Sequence, residues 1–220
     1  MKISVVQPDS LAARLGLQPG DDIVAIDGKD IRDPIDFQFY SAEEGYTMHL
    51  RRGEKIWNVP VAPEESGWLG VEFAEMEYRS CGNHCVFCFV DQNPRGLRKS
   101  LYFKDEDYRL SFLYGNYVTL TNLSRSQLER IVEQRLSPLY ISVHSTEDDL
   151  RRRMLGLRRN DRLLEKIDFL ARGGIELHAL GRLAPDVHGS GLRDLGQDVV
   201  SHDVEIGHRP FRAVIEELPL

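Results

Sequence analysis

All three cysteines of this 220-residue chain fall in one stretch, Cys81 to Cys88, which reads "CGNHCVFC". No other feature constrains the fold as strongly. Three thiols in the order C-x3-C-x2-C lie on one short loop and can face a common point. Clustering of this kind in a reducing compartment signals metal or catalysis more often than disulfides. A structural zinc site wants four ligands, and His84, or the distant His144 or His178, could supply a fourth. An iron–sulfur cluster also takes thiolates. With three protein ligands it leaves one iron open for a small molecule.

The surrounding chain changes style near Glu75. Residues 3–73 read as short strands and turns, with Ser10 capping a short helix that Gly16 ends. After that, strands alternate with helices: "MEYRS", the cysteine loop, a long polar connection, "NYVTLTN", a helix, "LYISVHS", two helices and "IELHALG". Ser124 is an N-cap with Gln127 three residues on, and Leu128, Ile131, Val132 and Leu136 recur at helical spacing. Gly173 and Gly174 close the last clear helix. Alternation of this kind implies parallel βα units.

Composition sets the outer bounds. The chain is 41% hydrophobic and 29% charged, with a formal net charge of −7. That charge weighs only slightly against a nucleic-acid partner, and solubility is its plainer explanation. No run approaches the ~18 apolar residues of a membrane span. The N-terminus lacks the apolar core of an export signal, so the reading is a cytoplasmic protein with no membrane partner.

The run "VVQPDSLAARLGLQPGDDIVAIDGKDIRD" resembles a bacterial PDZ domain, a module that adds a peptide strand to a sheet edge and grips its C-terminal carboxylate. "GWLGVEF" (67–73) resembles the family's carboxylate loop in a permuted position. It implies a groove for a peptide or protein C-terminus near Leu69, Gly70 and Val71, or else a docking module that only covers the next domain.

C-x3-C-x2-C with aromatic Phe87 before the last cysteine resembles the radical S-adenosylmethionine (SAM) enzymes. The segments "CGNHCVFCFVDQNPRGLRKSLYFKDEDYRLSFLYGNYVTLTNL" and "RLSPLYISVHSTEDDLRRRMLG" resemble one subfamily, iron–sulfur oxidoreductase-like, with a PDZ-like N-terminus and a C-terminal domain of unknown function. The resemblance implies that Cys81, Cys85 and Cys88 hold a [4Fe–4S] cluster. SAM binds the open iron and is reductively cleaved to a 5′-deoxyadenosyl radical that acts on an unknown substrate. A flavodoxin- or ferredoxin-type reductant protein is implied as partner. Phe87 would lie near the adenine. "GNY" supplies Gly115 and Asn116 just before the second strand, and Thr119, Thr121 and Asn122 are its polar candidates for the SAM amino group. Ser142 and His144 share a face at the end of the third strand. Of Arg151, Arg152 and Arg153, Arg153 is favoured for the SAM carboxylate. No catalytic residue is assigned. The long segment 91–112 is a lid or anion-binding candidate.

The fold class that follows is a PDZ-like β-domain (1–74), then an incomplete radical SAM (β/α) partial TIM barrel (75–180). A divergent tail (181–220) follows, disordered or poorly packed. Beyond His178 the chain turns polar and Gly- and His-rich, as a truncated or frame-shifted sequence would; His188, His202 and His208 are weak metal candidates there. The alternative function is a non-catalytic PDZ-type adaptor with a remnant cluster site, and a third reading is a zinc knuckle.

Overall fold

A computed structural model describes residues 1–65, 67–182, 200–206 and 209–215. The chain forms two compact units, Met1–Glu77 and Tyr78–Leu220. The first is β-rich and the second mixes helix with parallel sheet.

In the first unit, β1 (Ile3–Val6) precedes a single helical turn, α1 (Leu11–Arg14). Next come β2 (Asp22–Ile26), β3 (Lys29–Asp30) and α2 (Pro34–Tyr40). They are followed by β4 (Tyr46–Arg52), β5 (Lys55–Val61) and β6 (Val71–Phe73). A four-stranded antiparallel sheet runs β3-β2-β4-β5, and β6 pairs with β1 in a second, two-stranded sheet. Strand β4 shows why the sheet forms. Tyr46, Met48 and Leu50 alternate inward, opposite Val61, Val59 and Trp57 of β5. Period-two alternation gives one apolar face. Fully burying Met48 or Leu50 contributes about 1.5–3 kcal/mol each. Asp21 is buried, but Arg52 meets it with two hydrogen bonds, at 2.5 and 2.7 Å, which hold its carboxyl below the ordinary range.

Helix α2 escaped the sequence reading. Its signals are local: the Asp33 side chain accepts from the amides of Ile35 and Asp36, and Pro34 occupies the first turn. Proline there has no amide to waste.

The second unit holds α3 (Tyr108–Tyr114), β7 (Tyr117–Val118), α4 (Arg125–Glu133) and β8 (Leu139–Ser145). Then come α5 (Asp148–Met154), α6 (Leu163–Arg172) and β9 (Leu177–Arg182). Strands β7-β8-β9 form a parallel sheet. Among the described residues this sheet has three strands and does not close into a barrel. Strand β8 is central: Leu139, Ile141 and Val143 are buried, while Tyr140, Ser142 and His144 are half-buried on the other face. The predicted cap of α4 is present as a full capping box between Ser124 and Gln127.

Two predicted strands shrink. "MEYRS" contributes only an isolated bridge between Ser80 and Asp105. "NYVTLTN" keeps two paired residues, Tyr117 and Val118, before Leu120 turns into the left-handed region at φ 61°. Side-chain bonds and cations take over there. The Arg151 guanidinium, 1% exposed, donates to the carbonyls of Thr119, Ser142 and Val143 and pairs with Asp161. Lys166 Nζ donates to Leu120 O at 2.6 Å. These cations satisfy strand-end carbonyls that no ladder reaches. Helix α3, inside the stretch read as a polar connection, was also missed; Asp107 caps it and Gly115 ends it in the left-handed conformation.

Within the stretch read as a divergent tail, β10 (Val200–Ile206) and β11 (Arg209–Ile215) pair antiparallel. His188 and His208 lie outside the described residues, and His202 lies on the backbone of β10.

Arg151→Met leaves Asp161 and three carbonyls without their donor. It should cost about 3–5 kcal/mol in chemical denaturation, the range for breaking a buried pair. Ser124→Ala, at an exposed cap, should cost about 1 kcal/mol.

Candidate functional site

The cysteine loop is held by its own main chain. Cys81 N donates to Lys104 O at 2.6 Å, His84 N to Leu155 O at 3.1 Å, and Val86 N to Met154 O at 3.0 Å. The last carbonyls of a helix have no partner within it; here the end of α5 gives two of them to the loop. The approach is close enough to require a glycine. A Cβ on Gly156 would sit 2.4 Å from His84 O, and its φ is 64°.

From below, a polar network grips the loop. Asn83, buried between the first two cysteines, donates from Nδ2 to Thr119 Oγ1 at 3.1 Å and accepts at Oδ1 from Thr121 Oγ1 at 3.1 Å. The two threonine hydroxyls are 2.9 Å apart. Thr119 gives both its amide, at 2.7 Å, and its hydroxyl, at 2.6 Å, to the buried Glu106 carboxylate. Burial raises the Glu106 carboxyl above the ordinary range, and the Thr119 bonds pull it back only in part. Hydrogen bonding thus unites Thr119 and Thr121.

All three cysteines are free and half-buried. Burial, the largest cause, pushes the Cys85 thiol up to about 11, and the charges of Cys81 and Cys88 push the same way. Burial also raises Cys81. The nearest cation of note, Lys104, is committed to Asp91 at 2.5 Å. Among the described residues no three His, Cys, Asp or Glu side chains gather around a metal-sized point. The thiols therefore neighbour one another electrostatically without converging. The donor set suits a cluster nonetheless: three soft ligands, none in a disulfide, on one clamped loop. Next to Thr121, Asn122 Oδ1 is a buried acceptor with no donor among the described residues.

Phe87 meets His144, their ring centroids 4.7 Å apart. His144 sits at a bulge in β8 with φ 58°. Burial first, then the Arg151 charge, lowers its pKa to about 4. The structure thus brings Phe87, Thr119, Thr121 and His144 around the cysteine loop. Gly115 ends α3 against the Tyr140 ring. Asn116 bonds Asp105 at 2.6 Å, bracing the segment that bridges to Ser80. Ser142 offers its carbonyl to Arg151. Arg153 is exposed and bonded to Asp149 O in its own helix; of the three arginines, Arg151 is the buried one. Sequence reasoning passed over Asn83, Glu106 and Gly156, and preferred Arg153 to Arg151. Asn83 alone carried a signal, its place between two cysteines; Glu106 reads as one more charge in an acidic run.

In the first unit, a groove of about 750 Å³ runs between α2 and β6, lined by Pro34, Phe37, Leu69, Gly70, Val71 and Phe73 among others. A Cβ on Gly70 would meet Ser10 Cβ at 2.2 Å, so the loop can rest on the start of α1 only as glycine. Among the described residues β6 has a partner strand on one side only.

Three outcomes follow. Gly156→Ala should lose more than about 1 kcal/mol of stability and speed the reaction of the loop thiols with a disulfide reagent. At pH 8, Cys85 should alkylate about a hundred-fold more slowly than an unhindered cysteine, because the thiolate is the nucleophile, and the rate should climb between pH 9 and 11. His144 should titrate by NMR near pH 4. Because the unfolded histidine takes a proton near 6.5, stability from this residue is complete above that pH and is lost as pH falls from about 6.5 to 4.

No curated protein matches the chain. No helix among the described residues is long and apolar enough to cross a membrane. The PDZ domain family matches residues 2–48. The radical SAM-like domain family matches residues 63–198, more than half of the chain and past His178, where the sequence reading ended the resemblance. With its cysteine loop clamped beside the end of a parallel sheet, and a PDZ-like domain before it, this chain belongs to the radical SAM-like domain family.

Proposed function

We propose that this chain binds a [4Fe–4S] cluster through Cys81, Cys85 and Cys88, and SAM beside it, for reductive cleavage of SAM directed at a substrate still to be identified. The observation that carries the reading is the set of three free thiols on a loop locked to α5 and to the end of β7. The cluster and SAM together supply one-electron cleavage of a carbon–sulfur bond, chemistry that belongs to the cofactors.

The chain's own residues bind and orient. Cys81, Cys85 and Cys88 give up protons on ligation, so loading is coupled to pH. Phe87 and His144 present an apolar and uncharged aromatic surface suited to a purine; neutral His144 adds no cation beside the sulfonium. Asn122 Oδ1 offers an unused acceptor to an ammonium group. Gly115 and Asn116 shape the entry to β7, and Ser142 lies on the same half-buried face as His144. We assign Arg153 a weaker place, since its guanidinium is turned to Asp149 O. The setting is cytoplasmic, with a flavodoxin- or ferredoxin-type reductant.

Anaerobic reconstitution tests this. The wild type should take up four irons and release 5′-deoxyadenosine when given SAM and dithionite, and Cys85→Ala should lose both. Colourless protein holding one zinc and no iron would overturn the reading.

The groove beside β6 favours a second activity in the first unit, capture of a peptide C-terminus by strand addition. Its apolar lining and the exposed Trp68, 75% accessible at its mouth, support this. A peptide ending in an apolar residue with a free carboxylate should bind by calorimetry, and its amide should not.

A further inference from the structure

The Asn83 side chain is tied down at both ends, and its main chain touches a cysteine. Asn83 N donates to Cys81 Sγ at 3.4 Å. The carboxamide that fixes this amide is buried and fully engaged, with Thr119 at Nδ2 and Thr121 at Oδ1. Thr119 is in turn fixed by Glu106. Glu106 is itself held, since its amide donates to Arg79 O and its carbonyl accepts from Asn122 Nδ2. The chain of contacts therefore runs from a buried carboxylate to the sulfur of one cysteine, with no exposed member.

Hydrogen bonds to cluster sulfurs are one of the levers that set the reduction potential of an iron–sulfur centre. An N–H directed at sulfur stabilises the more negative, reduced state and so raises the potential. A free loop would share that bond among many conformations; a locked one keeps it through each electron transfer.

We propose that Glu106, Thr119 and Thr121 are positioning residues that lock the Asn83 carboxamide, hold the Asn83 N–H on Cys81 Sγ, and thereby raise the reduction potential of an iron–sulfur cluster ligated by that sulfur. This rests on the cluster-binding role given above. It predicts unequal ligands: Cys81 Sγ receives the Asn83 amide at 3.4 Å, whereas the Cys88 side chain bonds the Asp91 carboxylate.

The test is a redox titration of reconstituted full-length protein, without SAM, followed by EPR of the reduced cluster. Asn83→Ala, Thr121→Val and Glu106→Ala should each load iron to the wild-type level and shift the midpoint to more negative values. Glu106→Gln, which keeps an acceptor for Thr119, should restore the wild-type midpoint. In the iron-free chain, exchange of the Asn83 amide should quicken in the three shifted variants and not in Glu106→Gln. Wild-type midpoints in all variants, with full iron, would overturn the inference while leaving the cluster reading intact. Loss of iron from every variant, Glu106→Gln included, would also overturn it, because the network would then be needed for folding rather than for tuning. A wild type that takes up no iron would remove the cluster reading and this inference with it.

Discussion

One buried guanidinium holds together the part of the sheet that hydrogen-bonded strands do not. Strands β7 and β8 share only two paired positions, Tyr117 with Tyr140 and Val118 with Ile141. Past them the strands diverge, and their carbonyls would face a low-dielectric interior unpaired, at a cost of about 1–3 kcal/mol each. Arg151 reaches carbonyls on both sides and balances its charge against Asp161. The planar fork suits this duty in a way a lysine could not. The divergence it permits is what opens room at the strand ends, where Thr119, Thr121 and His144 stand.

The cysteine loop depends on that arrangement twice. Helix α5, which carries Arg151, also presents at its end the carbonyls that receive the loop's amides. Thr119, whose carbonyl Arg151 holds, is the residue that grips Asn83 from the other side. A single side chain thus registers the helix and the strand between which the loop is suspended. Burial first, and the same charge second, lower the pKa of His144.

Much of this was legible in the residues. Alternation in β4 and β8, the Ser124–Gln127 box and the glycine pair after α6 are local patterns, and local patterns survive into the fold. Phe87 and His144 each stood out as candidates, but their ring contact could not be read from positions so far apart in sequence. What escaped was non-local or disguised. Helix α2 hides behind a proline, and α3 begins in an acidic run that looks like solvent-facing loop. The shortening of β7 could not be read from "YVTLTN", whose threonines favour strands; its cause lies in Glu106 and Arg151, distant residues whose charges look superficial in sequence. Arg153 was preferred over Arg151 because spacing on a short helix does not reveal which of three neighbours finds Asp161.

Because the loop hangs from its main chain, its outward side chains are released from structural duty. His84 and Val86 are anchored through their amides, while Val86 is 77% exposed and Phe89 78%. Backbone attachment is indifferent to residue identity, so a changed side chain here leaves the bonds that hold the loop in place. The fold thereby separates an inner ring of buried, hydrogen-bonded groups from an exposed outer rim, and that rim is the surface the loop offers to whatever it meets.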